Sequence, residues 1–152
     1  MTTRLIRTLP VAALLAASLA APAMAAVING GSGPDVLVGT PSADTIRGFG
    51  GNDVLRGSGG ADHLYGGHGA DRIYGGREVR RDRLYGGAGP DHIYAHTSDT
   101  AYAGYGNDTV EIFGPDKFGQ VDIFCGPGHD TVIIRRAGEF PWVNVDNCEH
   151  VR

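Results

Sequence analysis

Aspartates recur along this chain at a nearly fixed interval. Asp35, Asp44, Asp53, Asp62 and Asp71 fall nine residues apart; Asp82 follows after eleven, Asp91 after nine, Asp99 after eight and Asp108 after nine. Asp130 ends the series in Cys125-Gly126-Pro127-Gly128-His129-Asp130. A short fixed period marks a solenoid, in which each unit buries its apolar residues only against its neighbours. With aspartate at position 6 of a nonapeptide, position 1 is Gly30, Gly39, Gly48, Gly57, Gly66 and Gly86, with Gly75 ahead of a two-residue insertion. Position 4 is Gly33, Gly51, Gly60, Gly69, Gly89, Gly106 and Gly128. Position 8 is always apolar: Leu37, Ile46, Leu55, Leu64, Ile73, Leu84, Ile93, Ala101, Val110 and Val132.

One period thus places three chemical classes. All 25 glycines lie at or after Gly30, which excludes a helical bundle, because each interior glycine costs a helix about 1 kcal/mol relative to alanine. Apolar residues make up 41 % of the chain, too many for simple disorder. Collagen fails because no Gly-X-Y period exists. The frame predicts a glycine turn ended by aspartate, then a strand of about three residues with its middle side chain inward. Two nonapeptides make one coil of a flattened all-β solenoid.

Gly30-Gly31-Ser32-Gly33-Pro34-Asp35-Val36-Leu37-Val38, Gly66-Gly67-His68-Gly69-Ala70-Asp71-Arg72-Ile73-Tyr74 and Gly86-Gly87-Ala88-Gly89-Pro90-Asp91-His92-Ile93-Tyr94 carry the pattern G-G-x-G-x-D-x-U-x. The frames at Asp53, Asp62, Asp108 and Asp130 follow it closely. Over about 30–132 the chain resembles the RTX, or haemolysin-type, calcium-binding repeat. The resemblance implies a parallel β-roll of about nine to ten nonapeptides, with Ca2+ held between turns stacked on the same edge. The residue chemistry points to the same ion, since calcium takes six to eight hard oxygen ligands and glycine turns supply carbonyls beside the carboxylates. One edge is expected to carry Asp35, Asp53, Asp71, Asp91 and Asp108, and the other Asp44, Asp62, Asp82 and Asp99; Asp130 joins the candidate ligands. Stacked carboxylates repel unless a cation lies between them, so calcium is expected to drive folding.

The frame has irregular stretches. Ser42 replaces glycine at position 4, Thr40 and Phe49 replace it at position 2, and the Asp99 repeat lacks its glycines. Asp116 and Asp122 lie outside the frame and read as loop and strand-edge acids; Gly114 and Gly119 read as loop residues. Tyr65, Tyr74, Tyr85, Tyr94 and Tyr102 share position 9 and are expected to form two outward ladders. Arg72, Arg77, Arg80, Arg81 and Arg83 cluster around the insertion and read as a solvated loop. His63, His68, His92, His96, His129 and His150 have no metal-type spacing.

Residues 1–25 read as a secretory signal peptide. Arg4 and Arg7 precede an apolar Ala/Leu run over 9–21, and Ala23-Met24-Ala25 is a small-x-small cleavage site. The rest divides into repeats over 26–132 and a C-terminal cap over 133–152. Removing Arg4 and Arg7 leaves 11 basic against 17 acidic residues, net −6, a balance that suits cations and not nucleic acid. Cys125 and Cys148 are the only cysteines and, in an exported chain, read as one disulfide stapling the cap. No G-x-S-x-G, H-E-x-x-H or Walker loop occurs, so no enzyme is expected. The reading is a secreted, monomeric bacterial calcium-binding repeat protein without stable membrane insertion. The alternative is a calcium-dependent attachment module in which the roll presents its tyrosine and arginine faces to a surface polysaccharide or protein. Classical RTX proteins export through an uncleaved C-terminal signal; the N-terminal leader departs from that pattern, and haemolytic activity is not inferred.

Overall fold

The nonapeptide frame translates into short strands separated by glycine turns. The structure, a computed structural model, describes residues 24–76, 80–114, 120–135 and 143–152. Almost all of the leader, together with Arg77, Asp116, Gly119 and the Phe140-Pro141-Trp142 segment expected to add bulk to the cap, lies outside the described residues. The strands are β1 Val27–Asn29, β2 Val36–Val38, β3 Thr45–Gly50, β4 Val54–Ser58, β5 His63–His68, β6 Arg72–Gly76 and β7 Arg83–Ala88. They continue as β8 His92–His96, β9 Thr100–Tyr105, β10 Thr109–Phe113, β11 Val121–Phe124, β12 Thr131–Ile134, β13 Val143–Asp146 and β14 His150–Val151. Odd-numbered strands form one seven-stranded sheet and even-numbered strands the other. The chain therefore alternates between two parallel sheets, as an all-β roll requires.

Register follows position 8. In the odd sheet, Ile46 pairs with Leu64, Leu64 with Leu84 and Leu84 with Ala101. In the even sheet, Leu55 pairs with Ile73, Ile73 with Ile93 and Ile93 with Val110. The two columns face each other across a thin aliphatic core in which every one of these residues is fully buried. Burying a leucine or isoleucine side chain contributes about 1.5–3 kcal/mol, and each coil has only two such positions with which to offset its ordering. A coil is therefore stable only when stacked on its neighbours.

The solenoid is longer than the aspartate count predicts, with about six turns. Strands β1, β11, β13 and β14 were not assigned from the frame because no aspartate precedes them at position 6. Val121, the first residue of β11, takes that position, and Ile123 then pairs with Ala101 on one side and Val145 on the other. The irregular stretch between Asp108 and Asp130 holds β10 and β11, and residues 115–119 between them lie outside the described residues. Beyond it, β13 and β14 close the C-terminal end by adding one more strand to each sheet. The Cys125–Cys148 disulfide forms, with Cα atoms 5.2 Å apart, and ties this last coil to the one before it. A closed loop of this size contributes about 3 kcal/mol by limiting the unfolded chain.

The outward position-9 side chains stack as expected, and further than expected. Tyr65, Tyr85, Tyr102 and Phe124 run along the odd sheet with centroids 4.7, 4.9 and 4.9 Å apart and nearly parallel planes. Tyr74 and Tyr94 stack at 4.3 Å on the even sheet. Arg47 and Arg56 close the N-terminal ends of the two ladders, with their guanidinium carbons 5.6 and 5.1 Å from the Tyr65 and Tyr74 centroids. The interior rings thus press their faces on one another and present edges to solvent.

Glycine is required most strictly where one coil's backbone touches the next. A Cβ built on Gly69 would lie 1.9 Å from the Gly51 carbonyl oxygen, and its φ is +125°. A Cβ on Gly33, at the same position in the first coil, meets nothing within 4 Å. Gly69→Ala is expected to cost about 3 kcal/mol or more, whereas Gly33→Ala stays within about 0.5 kcal/mol. Chemical denaturation of the two variants in saturating calcium measures the difference.

Candidate metal centre

Each aspartate enters its position by ending a turn, and its side chain then runs along the solenoid axis instead of out to water. Asp35, Asp53, Asp71, Asp91, Asp108 and Asp130 form one column, and Asp44, Asp62, Asp82 and Asp99 the other, as the spacing implies. Asp130 extends the first column. All except Asp35 are buried, with exposures of 3 % or less. That burial was not legible in the spacing, which indicates only that the carboxylates share an edge.

The first column is regular. The Asp35 N–H donates to Asp53 Oδ1 at 2.8 Å, Asp53 N–H to Asp71 Oδ1 at 2.8 Å, and Asp71 N–H to Asp91 Oδ1 at 2.9 Å. Asp91 N–H then donates to Asp108 Oδ1 and Asp108 N–H to Asp130 Oδ1, both at 2.8 Å. One carboxylate oxygen is therefore spent on the preceding coil. The other, Oδ2 of Asp53, Asp71, Asp91, Asp108 and Asp130, is buried without a hydrogen-bond partner. An orphaned, buried carboxylate oxygen is costly, and five in one column call for a common counter-charge. Their turns also share a backbone: Gly51, Gly69, Gly89, Gly106 and Gly128 all take the left-handed conformation at position 4.

The protonation energetics follow from this geometry. Burial pushes the Asp91 carboxyl up to about 7, with the charges of Asp108 and Asp71 adding to it. Burial likewise raises Asp108 to about 6, with Asp130 adding to it. Asp71 is raised by burial and by Asp53, against the opposing hydrogen bond from the Asp53 backbone.

The second column differs. Asp44 Oδ2 accepts the Thr40 N–H, and Asp99 Oδ2 accepts the His96 N–H at 2.6 Å. These are turns that the sequence marks as irregular, Thr40-Pro41-Ser42 and Thr97-Ser98, and their backbones supply a donor that the turns before Asp53, Asp71, Asp91, Asp108 and Asp130 do not. Asp35, in the exposed first turn, is satisfied similarly by the Gly31 N–H at 2.7 Å. Asp62 and Asp82 continue the column through the Asp44 and Asp62 N–H groups, each at 2.8 Å from the next Oδ1. Residues 77–79 in the turn before Asp82 lie outside the described residues.

Among the described residues, no group of three or more His, Cys, Asp and Glu side chains could hold a metal by itself. A cation in the first column would need one carboxylate oxygen per coil plus turn carbonyls, the hard-oxygen set that suits calcium. The orphaned Oδ2 atoms fit that ion. Two histidines serve elsewhere: His92 Nε2 lies 2.9 Å from Glu111 Oε1, and His129 Nδ1 lies 2.5 Å from Glu149 Oε2. Burial pushes the Glu111 carboxyl up, but hydrogen bonds from Arg135 and His92 outweigh it and hold the group below its ordinary value. Asp122 sits on the outside of β11 and accepts from Gln120 at 2.7 Å, as a strand-edge acid does.

No helix among the described residues is long and apolar enough to cross a membrane. No curated protein and no solved structure matches the chain. The RTX calcium-binding nonapeptide repeat model matches four times, at residues 29–62, 47–78, 80–99 and 97–111, together more than half of the 152 residues. The repeat frame, the paired parallel sheets and these matches agree: the chain belongs to the RTX calcium-binding nonapeptide repeat family.

Proposed function

We propose that this chain is a secreted calcium-binding repeat protein whose folding is completed by extracellular Ca2+, and that the ions lie along the Asp35–Asp130 edge. The observation that carries the reading is the row of five buried, unpartnered Oδ2 oxygens on that edge. When bound, calcium supplies positive charge to carboxylates that otherwise face only one another. Asp53, Asp71, Asp91, Asp108 and Asp130 would hold it, with carbonyls of their turns. Asp44 and Asp99 have both oxygens hydrogen-bonded to backbone N–H groups and act as turn caps. This removes Asp44 and Asp99 from the ten candidate ligands of the sequence reading; Asp62, whose Oδ2 is buried like those of the first edge, and Asp82 stay candidates on the second edge.

The attachment reading draws no support from the tyrosine ladders. A sugar ring stacks on an exposed aromatic face, and the faces of Tyr85 and Tyr94 are taken by their neighbours. Their stacking contributes about 0.5–1.5 kcal/mol per pair to holding coils in register.

Calorimetric titration of the mature chain is expected to give about five calcium ions, one per orphaned oxygen of the first column, with affinities near 10⁻⁴–10⁻³ M, as in extracellular modules. Asp71→Asn should remove at least one ion and weaken the rest. Asp99→Asn should lower stability while leaving the count unchanged. An equal loss of ions from both variants would place calcium on both edges and overturn the one-edge assignment.

The raised carboxyls predict a pH dependence for the calcium-free chain. Groups whose folded values stand above the ordinary value favour the fold when protonated, and that advantage is lost as pH rises through the folded value. In excess chelator, circular dichroism should therefore report more β-structure near pH 5 than near pH 8, with the loss centred on about 6 to 7, the values of Asp108 and Asp91. Saturating calcium should restore β-structure at pH 8. A chelated chain equally ordered at both values would contradict this coupling.

A further inference from the structure

The second aspartate column begins with a residue that is not an aspartate. Inside the column, each Oδ1 accepts the N–H of the aspartate one coil earlier, as Asp62 Oδ1 accepts from Asp44 at 2.8 Å. Asp44 has no aspartate before it, and the Ala26 N–H takes that role at 2.6 Å. The Ala26 carbonyl in turn accepts the Thr45 N–H at 2.8 Å, which starts the β1–β3 ladder. Ala26 thus occupies the aspartate position of a coil that exists only as β1. Its nitrogen meets a carboxylate that is only 2 % exposed.

Ala26 also follows the small-x-small site Ala23-Met24-Ala25. We propose that hydrolysis of the Ala25–Ala26 bond on export converts this first rung from an amide–carboxylate hydrogen bond into an ion pair, so that the mature N-terminus itself caps the Asp44 column. The proposal rests on reading residues 1–25 as a cleaved leader. In the step, an export endopeptidase adds water across the amide. The Ala25 carbonyl carbon gains the hydroxyl, the Ala26 nitrogen keeps the leaving pair and gains protons, and it emerges as an α-ammonium at neutral pH.

Two consequences favour the processed form. The amide donates to the carboxylate without carrying a charge of its own; an ammonium at the same place adds a full opposite charge beside a carboxylate that is largely shielded from water. The Thr40 hydroxyl, shared between the Met24 carbonyl at 3.4 Å and Asp44 Oδ1 at 3.1 Å, is left to Asp44 alone once Met24 departs. The precursor therefore carries a weaker N-terminal coil than the mature chain, and processing finishes an end that no disulfide secures.

The test compares five chains of defined N-terminus in saturating calcium: one starting at Ala26, the same chain Nα-acetylated, one extended by a single residue before Ala26, and the acetylated and free pair carrying Asp44→Asn. The free Ala26 chain is expected to melt about 3–6 °C above the acetylated and extended chains. The gap between free and acetylated chains should close to within about 1 °C in the Asp44→Asn background. Equal midpoints for free, acetylated and extended chains would overturn the cap. So would an undiminished gap after Asp44→Asn. Should Asp44→Asn fail to fold, the acetylated and extended chains still decide the matter. Mass spectrometry of the protein exported from a bacterial host tests the processing half separately: a start at Ala26 supports it, and any other start overturns it. That result is distinguishable from the failure of calcium binding, which neither measurement reads.

Discussion

Carboxylates stacked in register inside a solenoid are the constraint that every other part of this structure serves. Neighbouring coils lie about 4.8 Å apart. Two unit charges at that spacing repel by roughly 3 kcal/mol at an effective dielectric constant of 20. The first column runs from Asp35 to Asp130, so several such repulsions act at once. A domain of this size is stable by only about 5–15 kcal/mol in total. A thin core of two aliphatic columns cannot absorb a deficit of that order. Protons or a divalent cation on the column would remove that deficit. Glycine turns, short strands and position-8 side chains set the stage for that neutralisation and do not replace it.

Much of this was legible because one period sets several classes of residue. Two nonapeptides per coil return Ile46 onto Leu64 and Leu55 onto Ile73, and the pairing follows from counting. The tyrosine ladders follow from the same count. What counting could not supply was direction and satisfaction. Nothing in the spacing says that Asp71 Oδ1 turns to the Asp53 N–H while its Oδ2 stays unpartnered. The difference between Asp99 and Asp91 lies in a backbone donor, the His96 N–H, which the Thr97-Ser98 turn presents to Asp99 Oδ2. The missing glycines are visible in the sequence; that their turn satisfies the carboxylate is not. Strand β11 escaped notice for a related reason: Val121 fills an aspartate position with an apolar residue that the aspartate period cannot detect.

The outer surface repays the same attention to direction. Position 9 recurs once per coil on each sheet, so a tyrosine there must meet the tyrosine of the next coil. Parallel, in-register strands leave little choice but face-to-face contact, seen in the interplanar angles of 4° and 5°. The same repetition that suggests a binding platform thereby consumes the faces that a platform would need. Arg47 and Arg56 cover the exposed face of the first ring in each ladder. The ladders are better understood as registers that hold the coils in phase while the turns are still charged.

Ends are the remaining difficulty for a fold whose stability comes from neighbours. An interior coil is stabilised from both sides and a terminal coil from one. At the C-terminal end the chain answers with β13, β14 and a covalent bond between Cys125 and Cys148. At the N-terminal end Val27 and Val36 remain largely exposed, and Ile28 and Leu37 are only partly covered. There the second column is tied to the preceding strand by the bond between Ala26 and Asp44. A neutral amide is a modest anchor for an end coil. An ammonium at the same place would answer the Asp44 charge locally, as a cation bound along the first column would answer the charges there.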